Sequence, residues 1–119
     1  MLKLNQLTND WLPTVINAKI FRDKSGKIIA FAVENHGDEI VCAAVSMLVL
    51  NTVNSIEAFT KDLFSFDGDE EEGGFLSFSL ENPSTRTSEV GVLLDAMYLG
   101  LKTAEEEYPD EIQVMEVRI

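Results

Sequence analysis

Apolar and polar positions alternate from Val15 to Arg22, with Ile16, Ala18 and Ile20 on one face and Asn17 and Lys19 on the other, a period of two that predicts a half-buried β-strand. Asp23-Lys24-Ser25-Gly26 offers a turn with a residue fit for positive φ, and Ile28 to Glu34 resumes as a strand, so the first unit is a hairpin. From Ile40 to Phe59 the apolar residues are too dense for alternation and the run is too long for a strand. Ala43, Ala44, Leu48 and Leu50 favour helix, and the apolar density predicts a helix buried on most sides. Asp38 or Glu39 suits the cap of its first turn, and Asn51, Asn54, Ser55 and Glu57 mark a wetter face.

Lys61 to Phe66 and Gly73 to Glu81 read as two more strands, joined by the acidic turn Asp67-Gly68-Asp69-Glu70-Glu71-Glu72. Its glycine falls at the second position, which does not fit an EF-hand calcium loop, so a solvated hairpin tip is expected. After the polar segment Pro83 to Ser88, Val90, Leu93, Leu94, Met97, Leu101, Ala104 and Tyr108 recur at helical spacing until Pro109 stops the run. Met97 and Tyr98 belong to core and boundary in that pattern. Ile112 to Ile119 reads as a final strand. The order ββα-ββα-β predicts an α+β two-layer sandwich, a largely antiparallel sheet with two helices on one face. Residues 1–14 form a leader with one tryptophan, Trp11, and residues 15–119 form a single domain.

Charge narrows the partners. A formal net charge of -12 and a pI near 4.3 repel phosphate backbones and favour a basic protein or peptide, although acidity also serves solubility alone. No direct nucleic-acid partner is expected. The apolar stretch Ile40 to Leu50 is too short for a bilayer and Met1 to Val15 lacks the pattern of a signal peptide, so a soluble, cytoplasmic protein with no membrane partner is expected. Neither a Gly-rich phosphate loop nor a cluster of metal ligands is evident, so neither cofactor nor metal is expected.

The single cysteine, Cys42, falls in the first turn of the apolar helix, where unpaired backbone N–H groups and the helix dipole favour an anion. The single histidine, His36, precedes it by six residues across a Gly-containing turn, a span that can bring imidazole beside sulfur. Ser46 lies one helical turn beyond Cys42 on the same face, so its hydroxyl can reach sulfur or a bound substrate, or bond back to the carbonyl of Cys42. Residue types and spacing leave two readings open: a thiol nucleophile with a histidine base, or a packed cysteine near a structural histidine.

The run Ile40-Val41-Cys42-Ala43-Ala44-Val45-Ser46, followed by Thr52-Val53-Asn54-Ser55-Ile56-Glu57, resembles the ribosomal-processing cysteine protease family, Prp, whose hallmark is a VCAAVS helix. The acidic-then-glycine turn Glu71-Glu72-Gly73-Gly74 and the late segment Tyr98-Leu99-Gly100-Leu101-Lys102 are similar to the family as well. The resemblance implies a homodimeric cysteine endopeptidase that removes an N-terminal extension from a large-subunit ribosomal protein, with Cys42 as nucleophile and His36 as base. Ser46, Glu39 and Asn35, which flank this pair, are the candidate substrate-binding or supporting residues. The chain departs from the family in having Asn35-His36-Gly37 for the usual Gly-His-Ala, Glu39 for an Asp, and a shorter loop between histidine and cysteine. The alternative is a diverged dimeric relative, catalytically weak or inactive, that binds a ribosomal or other basic protein.

Overall fold

A computed structural model describes residues 15–35, 37–69 and 74–119. Strands β1 (Ile16–Arg22) and β2 (Ile28–Glu34) are followed by helix α1 (Glu39–Phe59), then β3 (Phe64–Asp69) and β4 (Phe75–Leu80). A short 3-10 turn (Pro83–Thr85), helix α2 (Ser88–Glu107) and strand β5 (Ile112–Arg118) complete the chain. The five strands form one sheet in the order β3-β4-β2-β1-β5, antiparallel except for the β1–β5 pair. This is the expected α+β sandwich with the element order ββα-ββα-β.

The period-two pattern decides which face of the sheet is covered. Ile16, Ala18 and Ile20 of β1 are buried, and the register sets Ala18 opposite Val33 and Ile20 opposite Phe31, so both strands offer one apolar face. Leu76, Phe78 and Leu80 extend it across β4, where Phe78 stacks on Phe31 with ring centroids 5.0 Å apart. Val41, Val45, Val49, Val53 and Ile56 of α1 and Val90, Leu94, Met97 and Leu101 of α2 fill this face at helical spacing. Thr52 is buried among them with its hydroxyl donating to the Leu48 carbonyl at 2.8 Å, so no polar group is stranded there.

The β1–β2 turn follows the sequence: Gly26 takes φ 89°, and the Asp23 carboxylate accepts from the Ser25 and Lys27 amides. Beside this turn, Arg22 donates from Nε to Glu116 at 2.7 Å, and the Tyr98 hydroxyl donates to the other oxygen of the same carboxylate at 2.7 Å. The Arg22 guanidinium lies 4.8 Å from the centre of the Tyr98 ring. This cluster ties α2 to the β1–β5 pair.

Two expectations are corrected. Helix α1 is buried along one stripe only: Ile40 and Met47 are 73% and 71% exposed, and Ala43, Ala44 and Phe59 are exposed as well. A helix lying on a two-layer fold has one face for the sheet, and apolar density records how greasy the other faces are, not whether they are covered. With 21 residues and a mean hydropathy of 1.6, α1 also has the length and composition of a spanning helix, which exceeds what the Ile40–Leu50 stretch suggested. Its inner stripe is nevertheless occupied by the sheet, as in the core helix of a folded domain.

The second correction concerns β3, which runs from Phe64 through Asp69 in place of Lys61 to Phe66. Asp62 is held in the preceding loop, its amide donating to Thr60 Oγ1 at 3.1 Å and its carboxylate accepting from the Thr87 amide at 2.9 Å. Asp67 and Gly68, read as a turn, pair instead with Ser77 and Leu76. Glycine suits that register, because a Cβ on Gly68 would stand 2.8 Å from Leu76 Cδ2. Glu70, Glu71, Glu72 and Gly73 lie outside the described residues.

Candidate active site

Strand β2 delivers the chain to the site, and the turn after it starts α1. Beyond Glu34, the Asn35 amide donates to the Gly74 carbonyl at 2.9 Å, carrying the β2–β4 ladder one step past the last paired residues. Asn35 then turns into the left-handed region at φ 75°, and Gly74 opposite it takes φ 70°. Asparagine is among the few residues other than glycine that adopt this conformation readily.

Asp38 is the N-cap of α1. Its carboxylate accepts from the Ile40 amide at 2.9 Å and the Val41 amide at 3.3 Å, while its carbonyl accepts from the Cys42 amide at 2.8 Å. The amides of the first turn are thus largely satisfied by Asp38, which corrects the expectation of unpaired N–H groups left to favour a sulfur anion. Glu39 adds a second carboxylate at the positive end of the helix, where it is favourable. The Asp38 amide in turn donates to Glu111 Oε1 at 3.0 Å, fixing the head of α1 to the turn before β5.

Cys42 emerges half-buried from this turn, and Ser46 is half-buried one turn further along. Both line a cavity of about 130 Å³, together with Asn35, Val45, Ile16 and the segment Gly74 to Leu76. The cavity lies where the end of β2 meets the beginnings of β1 and β4 beneath the head of α1. Its described walls are mainly apolar, with the thiol, a hydroxyl and an amide as the chemical groups.

Of the residues singled out in the sequence, Cys42, Ser46 and Asn35 come together at one cavity. Glu39 does not line it and stands exposed at the head of the helix. His36 lies outside the described residues, although its neighbour Asn35 is a wall of the cavity. Glu111 was not anticipated: it is one of 21 acidic residues in the chain, and nothing local distinguishes it from its neighbours. The left-handed turn at Asn35 was partly readable, since Asn-x-Gly between a strand and a helix is turn composition.

A half-buried cysteine at the head of a helix, lining an apolar cavity at one end of an α+β sheet, is an arrangement compatible with thiol chemistry on a bound ligand. The family model for cysteine protease Prp matches residues 15–113. The chain belongs to the Prp family of cysteine proteases. The ribosomal processing cysteine protease Prp of Staphylococcus aureus is 27% identical over 106 residues, covering 84% of this chain and 97% of the relative. That of Bacillus subtilis is 27% identical over 111 residues, covering 84% and 96%.

Solved structures agree. SMU.848 from Streptococcus mutans superposes with a TM-score of 0.78 at 29% identity, covering 89% of this chain and 97% of that one. The essential Prp of S. aureus, in complex with a covalently linked product peptide, superposes with a TM-score of 0.78 at 26% identity, covering 86% and 99%.

Proposed function

We propose that this protein is a cytoplasmic, homodimeric endopeptidase that removes an N-terminal extension from a large-subunit ribosomal protein. The observation that carries the reading is the convergence of Cys42, Ser46 and Asn35 on one apolar cavity, in a chain whose S. aureus relative has been captured with a covalently linked product peptide. The names of the curated relatives support ribosomal processing, and the net charge of -12 suits a substrate with a basic body. No direct nucleic-acid partner enters this reading.

In this mechanism His36 takes the proton of the Cys42 thiol, and the sulfur adds to the carbonyl carbon of the scissile bond, forming a C–S bond. Collapse of the tetrahedral species breaks the C–N bond, and the imidazolium returns its proton to the leaving amine. Water, deprotonated by His36, then attacks the thioester; the C–S bond breaks and the thiol is restored. The supporting residues orient the substrate: Ser46 through its hydroxyl, Asn35 through the turn that shapes the cavity wall, and Glu39 through charge at the exposed head of α1.

The dimer is supported by apolar side chains left uncovered on the outer helices. Ile40 and Met47 lie two turns apart on α1, Val92 and Leu99 two turns apart on α2, and all four are at least 66% exposed.

Incubating the protein with a peptide spanning the extension and the first residues of the ribosomal protein should release two fragments at one bond. Binding of the peptide without cleavage would replace this reading with that of a non-cutting relative.

A further inference from the structure

The sheet ends at β3 on one side and at β5 on the other, and the two edges differ. On β5 the Val114 amide donates to Glu105 of α2 at 2.9 Å, so an incoming strand would first have to displace that carboxylate. On β3 the alternation of an antiparallel ladder decides which backbone groups are free. The Glu81 amide donates to the Leu63 carbonyl at 2.9 Å, and the register continues with Ser65 opposite Ser79 and Asp67 opposite Ser77, so the amides and carbonyls of Ser65 and Asp67 point at β4. Those of Phe64, Phe66 and Gly68 therefore point away from the sheet, and no hydrogen bond is made to them among the described residues.

We propose that the free edge of β3 is a docking edge for a basic protein, which adds an extended segment of alternating apolar and cationic residues as a sixth, antiparallel strand. The inference needs β3 alone and is independent of cleavage at Cys42.

The two faces of β3 specify that alternation. Phe64 and Phe66 point to the helix side, half-buried against the core, with the Phe64 ring centroid 5.2 Å from that of Phe78, so they leave apolar surface for the side chains of an added strand. Ser65 and Asp67 point to the side opposite the helices and are exposed, and Glu81 stands exposed on that same side one strand inland. Neither carboxylate has an ion-pair partner among the described residues. Between β3 and Phe21 of β1 this side holds a depression of about 240 Å³ floored by Ala30, Ala32, Ser77 and Ser79, which gives room for the stem of a lysine or arginine leaning inland beside Ser65. Charge also selects the partner. Two copies of this chain pairing edge to edge would bring like carboxylates onto one face of a protein that already carries -12, whereas a cation opposite Asp67 gains from the pairing.

The test uses the full chain and a short peptide of alternating valine and lysine. Binding should slow hydrogen exchange, read by NMR, at the amides of Phe64, Phe66 and Gly68, and leave those of Ser65 and Asp67, already bonded to β4, as they were. Asp67→Lys, a change at an exposed side chain, should weaken the peptide about tenfold. Methylating the peptide's valine nitrogens, which face β3 in an antiparallel pairing, should abolish binding with the charge unchanged, and methylating its lysine nitrogens should not. Absence of protection at about 1 mM peptide, equal binding of the two methylated peptides, or protection at Val114 in place of the β3 amides would each overturn the proposal. Protection of Phe64, Phe66 and Gly68 that grows with the concentration of the protein alone would overturn it as well, by assigning the edge to a second copy.

Discussion

The backbone N–H of Asp38 donates to the carboxylate of Glu111 at 3.0 Å, across 73 positions of sequence. Because the Asp38 carboxylate caps α1 and its carbonyl accepts from the Cys42 amide, this bond links the placement of the thiol to the turn before β5. Glu111→Ala leaves an exposed amide that water can satisfy, so stability should fall by less than about 1 kcal/mol. Peptide cleavage should fall by on the order of tenfold, since small displacements of a nucleophile are costly in rate. Asp38→Ala should cost about 1 kcal/mol in stability as well, through loss of the cap. Urea unfolding and single-turnover cleavage of both variants check the split; a rate loss no greater than the stability loss implies would reduce Glu111 to a folding role.

Asn35 at φ 75° makes a second, separable prediction. Asn35→Ala puts an unfavourable residue in the left-handed region and should destabilise the fold by about 1–2 kcal/mol. Asn35→Gly should restore the stability to within about 1 kcal/mol of wild type, because glycine adopts the conformation freely at an entropic cost in the unfolded chain. Chemical denaturation of the two variants decides it; equal stability for Ala and Gly would show that the turn carries no strain.

Acid should find the carboxylates at the β1–β5 edge. Glu116 is held below its ordinary value by the Tyr98 hydroxyl first and by Arg22 next, and Asp23 is lowered to about 2, first by the Ser25 hydroxyl and then by the Lys27 amide. A depressed folded value means that the folded state prefers the carboxylate. The stabilisation is complete above the unfolded value, near 4.5 for Glu116 and 3.8 for Asp23, and is lost as pH falls through the folded one. Thermal unfolding of wild type should therefore show a loss of stability from about pH 5 downward, and Tyr98→Phe should flatten the upper part of that slope. Parallel curves for the two proteins would remove Tyr98 from the cause.

The fold was legible where a pattern has one structural meaning. Alternation in β1 and β2, the Gly26 turn and the spacing from Val90 to Leu101 each carry a period or a backbone requirement that tertiary packing did not alter. The covered stripe of α1 was less legible, because valines at 41, 45, 49 and 53 are hidden among equally apolar neighbours that face outward. The end of β3 was misread because Asp67 and Gly68 are turn residues by composition, and the strand pairing opposite Ser77 and Leu76 overrides that preference. At the site, Cys42 and Ser46 followed from one helical turn of spacing, whereas the Glu111 contact arises between segments that only the fold brings together.

In the proposed function Cys42 is the nucleophile of a peptidase. Mass spectrometry of the intact protein, quenched in acid during turnover of the extension peptide, tests it most directly. Wild type should carry the mass of the N-terminal product as a thioester on Cys42, and Cys42→Ala should carry none and cut nothing. Cleavage by Cys42→Ala at the wild-type rate would contradict the account.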